Sequence, residues 1–274
     1  MKMKDHRNIY PFRIGTTSYI LPIEEDNLVA NVEFLKNSFD KIQLLYFSKD
    51  YLHDVMSAPI LKRLEEIRGR SGVEYSVHLP VDLGLLAANE DMKKRSIDII
   101  ETIIQSTAKL GVREYILHID RSNGVPLSGD FAAGGTAGLF THALEMLNKK
   151  CGCLDMFYIE NTSYDLTEYA DVIERYDMPV CMDIGHLLLC GLEIDGFIQV
   201  FNKRIKEVHL HGFSDGEDHR SLAETDRKIL RNIWDYLKTY TASVIIEVFN
   251  EEDLAGSMGC LYKLFREKSW NIQK

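Results

Sequence analysis

The sequence lacks the features that define several common classes of protein. Its five cysteines show no paired CxxC spacing, so we expect packing residues in a reducing compartment. Neither GxGxxG nor GxxxxGK[ST] occurs, which disfavours an open, doubly wound nucleotide-binding sheet. No long apolar segment follows the charged residues at the start. We therefore expect neither a signal peptide nor a membrane anchor, and a cytoplasmic protein.

Basic residues are also scarce. The chain has 32 lysines and arginines against 42 aspartates and glutamates, a net charge of −10. Proteins that bind nucleic acid usually carry a basic stripe, so we do not expect a nucleic-acid partner. With 45% hydrophobic and 27% charged residues, the composition is that of a globular protein. No linker, tandem repeat or charge block divides the chain, and we predict one domain over residues 1–274.

Eight short apolar runs recur at fairly even intervals. Buried parallel strands have this continuous apolar character because both of their faces are covered. The runs are Phe12–Ile20, Ile42–Phe47, Tyr75–Pro80, Tyr115–Asp120, Met156–Asn161, Val180–His186, Glu207–Gly212 and Val244–Phe249. Helix-like stretches separate them, and this alternation implies parallel strands joined by right-handed crossovers. The 274 residues are also close to the ~250 typical of a (β/α)8 TIM barrel, which is the α/β fold that we predict.

The helix-like stretches have mixed apolar and charged spacing. They are Asp26–Phe39, Pro59–Arg70, Glu90–Leu110, Gly138–Lys149, Leu166–Tyr176, Gly196–Lys203, Ala223–Tyr240 and Glu251–Lys268. Asn89 and Thr225 are candidate N-caps, while Gly72 and Gly111 are candidate C-caps. The glycine-rich stretch Ser128–Gly138 is predicted to form a loop over the mouth of the barrel.

Six of the eight runs end in histidine, aspartate or glutamate. Because parallel strands of a barrel end at the same mouth, we expect these side chains to converge there on shared cations. The candidate ligands are His78, His118, Glu160, Asp183, His186, His209, His219 and Glu247. Nitrogen and oxygen ligands without thiolate suit zinc, manganese or a similar divalent ion. Any one histidine could instead be a core residue bonded to a backbone carbonyl, but the recurrence at matching strand ends favours a metal site.

This ligand set resembles that of the AP endonuclease family 2, or xylose isomerase-like, barrels, and the resemblance covers essentially the whole chain. It implies two or three divalent ions. His78, His118 and Glu160 would hold one ion, and Glu160, Asp183, His209 and Glu247 would hold a second. His186 and an Asp-x-His pair would hold the third.

The chain departs from this family pattern at the Asp-x-His pair, where it has Glu217-Asp218-His219. The spacing nominates Glu217, whereas the residue type and the adjoining DHRSL nominate Asp218, which we favour. His211 faces the same way as His209. It is a further ligand, a substrate contact or a packed histidine.

A narrower resemblance is to the cobamide-remodelling phosphodiesterases. It is carried by FRIGTTSYILP, NVEFL, HLPVDL, DIGHLL, VHLHG, DHRSL and EVF. It implies opening of the nucleotide loop at the phosphoribosyl linkage, leaving a phosphorylated corrinoid fragment and the base nucleoside. Ser18 or Tyr19 would then contact phosphate or substrate, the alternative being a strand end whose hydroxyls cap backbone groups. Arg121 would hold the phosphate unless it is a surface arginine.

Paired divalent ions explain how a phosphodiester could be cleaved, because they generate hydroxide at neutral pH and neutralise developing charge. Glu160 would orient the nucleophile, and Glu247 or Asp183 would accept its proton. The sequence therefore favours a metal-dependent hydrolase acting on a small molecule, a cobamide.

Three alternatives stay open. A sugar or sugar-phosphate isomerase or epimerase needs only Glu160, Asp183, His209 and Glu247. Abasic-site DNA repair is disfavoured by the acidic charge. A non-catalytic metal or corrinoid binder would not need so many carboxylates.

Overall fold

The computed structural model describes residues 4–22, 27–87, 89–119, 135–214 and 216–266. In this part of the chain, eight parallel strands close into a barrel with helices between them, which confirms the predicted fold. The barrel strands are β1 (Arg13–Thr17), β2 (Lys41–Leu45), β3 (Glu74–His78), β4 (Tyr115–His118), β5 (Phe157–Glu160), β6 (Val180–Asp183), β7 (Ile205–Leu210) and β10 (Ser243–Ile246). Strand β10 pairs with both β1 and β7, and this pairing closes the sheet.

The helices alternate with the strands. They are α1 (Asn27–Leu35), α2 (Leu52–Val55), α3 (Ala58–Ser71), α4 (Glu90–Thr107), α5 (Gly135–Cys151), α6 (Ala170–Arg175), α7 (Ile184–Leu189), α8 (Ile194–Phe201), α9 (Arg227–Leu237) and α10 (Glu251–Arg266). Short 3-10 turns lie at Lys49–Tyr51, Ala108–Leu110, Leu166–Tyr169, Asn202–Arg204 and Leu222–Glu224. None of the helices in the described ranges combines the length and the apolar character needed to cross a lipid bilayer.

Three of the four predicted caps are confirmed. The side chain of Asn89 accepts the backbone N–H groups of Asp91 and Met92 at the start of α4. Gly72 and Gly111 end their helices in the left-handed conformation that glycine adopts readily. The prediction for Thr225 is wrong. Asp226 caps α9 instead, because its carboxylate accepts the Lys228 N–H.

The strands end earlier than the apolar runs that predicted them, so the last residues of several runs lie at the mouth. Val180–His186 is the clearest case. Asp183 ends β6 and also caps α7, accepting the backbone N–H of His186 at 2.7 Å, so that His186 lies in a helix. Of the predicted loop Ser128–Gly138, residues 128–134 lie outside the described ranges and residues 135–138 begin α5.

A short antiparallel hairpin at the mouth was not predicted. It consists of β8 (Gly212–Ser214) and β9 (Glu217–Arg220) and follows directly after β7. Gly216 has a φ of 83° and His219 a φ of 53°, so both residues adopt the left-handed conformation. This conformation is uncommon for a histidine and implies that surrounding contacts hold it. The hairpin thereby brings Asp218 and His219 over the carboxyl ends of the strands.

Candidate metal centre

Glu160 lies at the middle of the mouth and is completely buried. One carboxylate oxygen, Oε2, is 2.9 Å from His118 Nε2 and 3.3 Å from His78 Nε2. The other oxygen, Oε1, is 2.9 Å from His209 Nδ1. The two oxygens of a single carboxylate therefore face two different sets of histidines, which is the arrangement of a carboxylate that bridges two cations.

A second group of ligands shares Glu160. Ligand atoms of Glu160, Asp183, His209 and Glu247 all lie within 4.8 Å of one another. His209 Nδ1 is 2.7 Å from Glu247 Oε2 and 3.9 Å from Asp183 Oδ2. His78, His118 and Glu160 form a group by the same measure.

The residues present fit divalent cations. Glu160, Asp183 and Glu247 are three buried carboxylates, and within the described ranges no lysine or arginine forms an ion pair with them. Glu247 Oε2 is buried, and from the described residues it accepts no backbone hydrogen bond besides its 2.7 Å contact with His209 Nδ1. Burying this much negative charge is costly without a cation. A donor set of imidazole nitrogens and carboxylate oxygens suits zinc or manganese.

Cys181 also offers a sulfur within 4.8 Å of ligand atoms of Glu160 and His209. Burial raises the pKa of its thiol well above the ordinary value, which favours the neutral thiol in the metal-free protein. None of the five cysteines, all of them in the described ranges, forms a disulfide.

A third group lies further out, beneath the hairpin. Asp218 Oδ2 is 3.6 Å from His186 Nε2, and Asp218 Oδ1 is 3.0 Å from His219 Nδ1. Glu217 is exposed and lies 3.7 Å from Arg220 instead. The geometry therefore brings Asp218, rather than Glu217, to His186. Of the two positions that the sequence nominates, Asp218 is the one able to share a cation with His186 and His219.

The carboxylates and the histidines shift one another's proton affinities. Burial by itself would raise the pKa of Glu160, but His209 and His118 beside it hold that pKa well below its ordinary value. Burial would lower the pKa of His209, but the carboxylates of Glu247 and Glu160 beside it raise that pKa well above the ordinary value. The contact with Glu160 likewise raises the pKa of His78 against the effect of burial.

These shifts predict opposite pH dependences for the metal-free and the metal-loaded protein. The contribution of His209 to metal-free stability is complete below the ordinary pKa of 6.5 and is lost as the pH rises through the raised pKa. The contribution of Glu160 is complete above 4.5 and is lost as the pH falls through the lowered pKa. Above about pH 6.5, the metal-free protein should therefore become less stable with rising pH, because the contribution of His209 is lost while that of Glu160 stays constant.

Cation binding needs deprotonated imidazoles, so the stabilisation by added zinc should increase over the same range. Thermal unfolding measured with chelator and with excess zinc checks both slopes. Parallel slopes would mean that the histidines do not bind the cation.

The four predicted substrate contacts have different surroundings. Ser18 is buried, and its hydroxyl accepts the Leu45 N–H at 3.0 Å, which favours the backbone-capping alternative. His211 is completely buried, which speaks against a direct substrate contact. Tyr19 is half-buried at the mouth. Arg121 lies outside the described residues.

Tyr19 belongs to an aromatic wall formed with Phe47 and Phe249. The ring centre of Tyr19 is 4.7 Å from that of Phe47 and 6.0 Å from that of Phe249. The three rings follow the adjacent strands β1, β2 and β10, and Phe249 also stacks on His219 with ring centres 4.7 Å apart. The aromatic wall therefore adjoins the third ligand group, that of His186, Asp218 and His219. Phe47 and Phe249 were not singled out from the sequence, because apolar residues in apolar runs are usually core.

The sequence reasoning also missed the buried groups below the ligands. Glu207 Oε1 is 3.4 Å from His209 Nε2 and accepts a hydrogen bond of 2.8 Å from Gln43. Lys41 Nζ donates to Glu207 at 3.0 Å, and both side chains are buried inside the barrel. Asn161 bonds both backbone groups of Asp183, at 2.8 and 2.9 Å, and so fixes the end of β6. The period-2 alternation of β7 could have nominated Glu207, two residues before His209.

The fold is that of a known family of barrels. The family described as xylose isomerase-like TIM barrel (AP endonuclease family 2) matches residues 32–264. Because the match spans most of the chain, the protein belongs to this family. The chain is also 23% identical to an uncharacterized protein of Methanocaldococcus jannaschii over 251 residues, covering 87% of this chain and 93% of that protein.

Solved structures with the same fold include enzymes of different reaction classes. A D-tagatose 3-epimerase-like protein superposes with a TM-score of 0.72 at 20% identity, covering 93% of this chain and 98% of that one. Endonuclease IV of Thermus thermophilus gives 0.65 at 17% identity, covering 94% and 100%. The IolI protein, solved with a bound zinc atom, gives 0.66 at 13% identity, covering 94% and 100%. The fold is thus shared with an epimerase-like protein, an endonuclease and a protein solved with bound zinc.

Proposed function

We propose that the protein is a metal-dependent phosphodiester hydrolase acting on a small molecule. The observation that carries the proposal is Glu160, whose two oxygens face His78 and His118 on one side and His209 on the other. Divalent cations held on both sides would supply hydroxide at neutral pH and neutralise the charge that develops on the phosphate oxygens.

The carboxylates have separable roles in this proposal. Glu160 orients the attacking oxygen, because it lies between the two ligand groups. Of the two candidates for proton acceptor, Asp183 is already engaged: Oδ1 accepts the His186 N–H at 2.7 Å and lies 3.1 Å from His211 Nε2. Glu247 Oε2 accepts no backbone hydrogen bond from the described residues and lies 2.7 Å from His209 Nδ1. We therefore assign the proton-accepting role to Glu247.

The proposed substrate is the nucleotide loop of a cobamide. The sequence motifs that resemble cobamide-remodelling phosphodiesterases support this assignment. The aromatic wall supports it independently, because planar bases stack on aromatic side chains, and Phe47 is 37% exposed at the mouth. A phosphate bound at the ligand groups would leave an attached base within reach of this wall.

The test is a comparison of substrates. Protein loaded with zinc or with manganese is incubated separately with adenosylcobalamin, a sugar phosphate and an abasic DNA duplex. Cleavage products are analysed by mass, and the sugar, whose isomers have the same mass, is analysed by chromatography. We expect a phosphorylated corrinoid fragment and a nucleoside from the first substrate only. Cleavage of the duplex, or conversion of the sugar with the cobamide left intact, would contradict the proposal.

The aromatic wall yields a prediction of its own. Phe47→Ala removes an exposed ring that contacts none of the ligands, so metal content and kcat should be retained. Since stacking on a base is worth about 1–3 kcal/mol, KM should rise about tenfold. Tyr51→Ala is the matched control, because Tyr51 is a nearby aromatic residue in the chain, 67% exposed and outside the wall. Equal KM values for the two variants would exclude stacking on Phe47.

A sugar epimerase is the second candidate. The four-ligand group of Glu160, Asp183, His209 and Glu247 would suffice for one cation and for two carboxylates acting as acid and base. The similarity in fold to a D-tagatose 3-epimerase-like protein favours keeping this candidate. His78 and His118 have no part in such a reaction, so variants of these two residues separate the candidates.

A further inference from the structure

His211 is buried between two ligand groups. The inner group is Glu160, Asp183, His209 and Glu247, and the outer group is His186, Asp218 and His219. Both ring nitrogens of His211 are engaged. Nε2 lies 3.1 Å from Asp183 Oδ1 and 3.2 Å from Asp183 Oδ2. Nδ1 lies 3.2 Å from the carbonyl oxygen of Gly212 and, at the shorter distance of 2.8 Å, accepts the backbone N–H of His219. The imidazole therefore joins Asp183, at the end of β6, to the hairpin that follows β7.

The backbone hydrogen bond fixes the tautomer of His211. A nitrogen that accepts an N–H at 2.8 Å has its lone pair in that bond and carries no proton. The ring proton is then on Nε2, where the carboxylate of Asp183 accepts it. A histidine with both nitrogens committed in this way has no lone pair left for a cation. His211 is therefore not a ligand, although one of its ring nitrogens lies within 4.8 Å of ligand atoms of His186 and His219.

The packing around the ring admits one orientation. The ring of His219 stacks on that of His211 with centres 4.2 Å apart and an angle of 10° between the planes. On another side lies Gly185, where an added Cβ would be 1.9 Å from His211 Cε1. The chain thus has no side chain at position 185, where one would displace the imidazole.

We propose that His211 is a positioning residue that aligns Asp183 for the inner cation and, through the backbone of His219, holds the hairpin that presents Asp218 and His219 to the outer one. The left-handed φ of 53° at His219 fits this role, because that conformation needs an external contact to hold it. The inference rests on the metal roles within the proposed function, but not on the reaction catalysed.

Two substitutions separate the two contacts. In His211→Gln the amide nitrogen takes the place of Nε2, so the donor to Asp183 is kept and the acceptor for His219 is lost. In His211→Asn the amide oxygen takes the place of Nδ1, so the acceptor is kept and the donor is lost. His142→Gln and His142→Asn are the matched controls, since His142 is a half-exposed helix residue paired with Glu90, away from the ligand groups.

Zinc ions are the probe, titrated in competition with a chromophoric chelator to give stoichiometry and affinity. We expect His211→Asn to weaken the zinc site that contains Asp183 about 10- to 100-fold, because a hydrogen bond to a ligand is lost. The stoichiometry should be unchanged. His211→Gln should leave that site intact and weaken zinc binding at the outer site, to which the hairpin presents Asp218 and His219. Urea unfolding of the metal-free variants establishes that each is folded.

Gly185→Ala provides a second route that leaves all ligands and His211 in the chain. Because its Cβ would displace the imidazole, it should weaken zinc binding as His211→Asn does. Loss of one whole zinc ion in His211→Asn, with the affinity of the others unchanged, would identify His211 as a ligand and overturn the inference. Unchanged zinc binding in the His211 variants and Gly185→Ala would also overturn it. If the unaltered protein bound no zinc or manganese, the proposed function itself would fail, which is a distinguishable result.

Discussion

Glu160→Gln is expected to abolish turnover and to lower metal content, while leaving the fold intact. Glutamine keeps the size of the side chain, but its amide nitrogen donates hydrogen bonds and cannot bind a cation. One side of the bridge between His118 and His209 is therefore lost, whichever way the amide is oriented. Loss of a residue that only hydrogen-bonds to a metal ligand lowers metal affinity or activity about 10- to 100-fold. Loss of the shared ligand itself should therefore lower activity by more than about 100-fold.

Elemental analysis and turnover, measured on the same preparation, check this expectation. Glu65→Gln is the control, because Glu65 is an exposed residue of α3 and its substitution makes the same change in charge. Urea unfolding of both metal-free variants verifies that the barrel is retained. A Glu160→Gln protein with the metal content of the unaltered chain would rule out bridging by this carboxylate.

His78→Ala and His118→Ala should each reduce hydrolysis of the cobamide nucleotide loop by about 100-fold or more. Each removes a metal ligand, which should cost more than the loss of a residue that only hydrogen-bonds to one. Both histidines face Glu160 Oε2 at the ends of β3 and β4, so either substitution removes a ligand of the same cation. The bound metal should fall by one ion, while the four-ligand group that includes His209 stays complete.

This pair of variants also decides between the two candidate functions. An epimerase that uses only the four-ligand group would keep its activity in both alanine variants. His142→Ala controls for the loss of a histidine as such, because His142 lies on the surface beside Glu90. If the unaltered protein epimerises a sugar or interconverts an aldose and a ketose, leaves cobamides intact, and both variants retain that activity, the hydrolase proposal is wrong.

The barrel strands were predictable because strands buried on both faces leave an unbroken apolar record in the sequence. Most of the predicted ligands likewise lie at the ends of barrel strands, since parallel strands of a barrel all end at one mouth. The hairpin of β8 and β9 left no such record. Its residues are few and polar, and its direction depends on the backbone of Gly216 and His219. For that reason the spacing nominates Glu217, whereas the hairpin brings Asp218 to His186.

The contacts beneath and between the ligands were harder to predict. Lys41 begins an apolar strand and would ordinarily be assigned to the surface, yet it is buried with Glu207 inside the barrel. Its partner is distant in the chain, so the pairing depends on the closed sheet. The bonds of His211 to Asp183 and to the backbone of His219 are invisible for the same reason. Local patterns indicate which face a side chain occupies, but not what it meets there.

Gly185 lies against the ring of His211, so the residues that position 185 can accept depend on the residue at position 211. While an imidazole occupies position 211, any side chain at position 185 collides with it. A smaller residue at 211 removes this obstacle, and position 185 can then vary. Among homologous chains the two positions should therefore covary, with glycine at the first wherever histidine occupies the second. A lineage would have to change position 211 before it could acquire a side chain at 185.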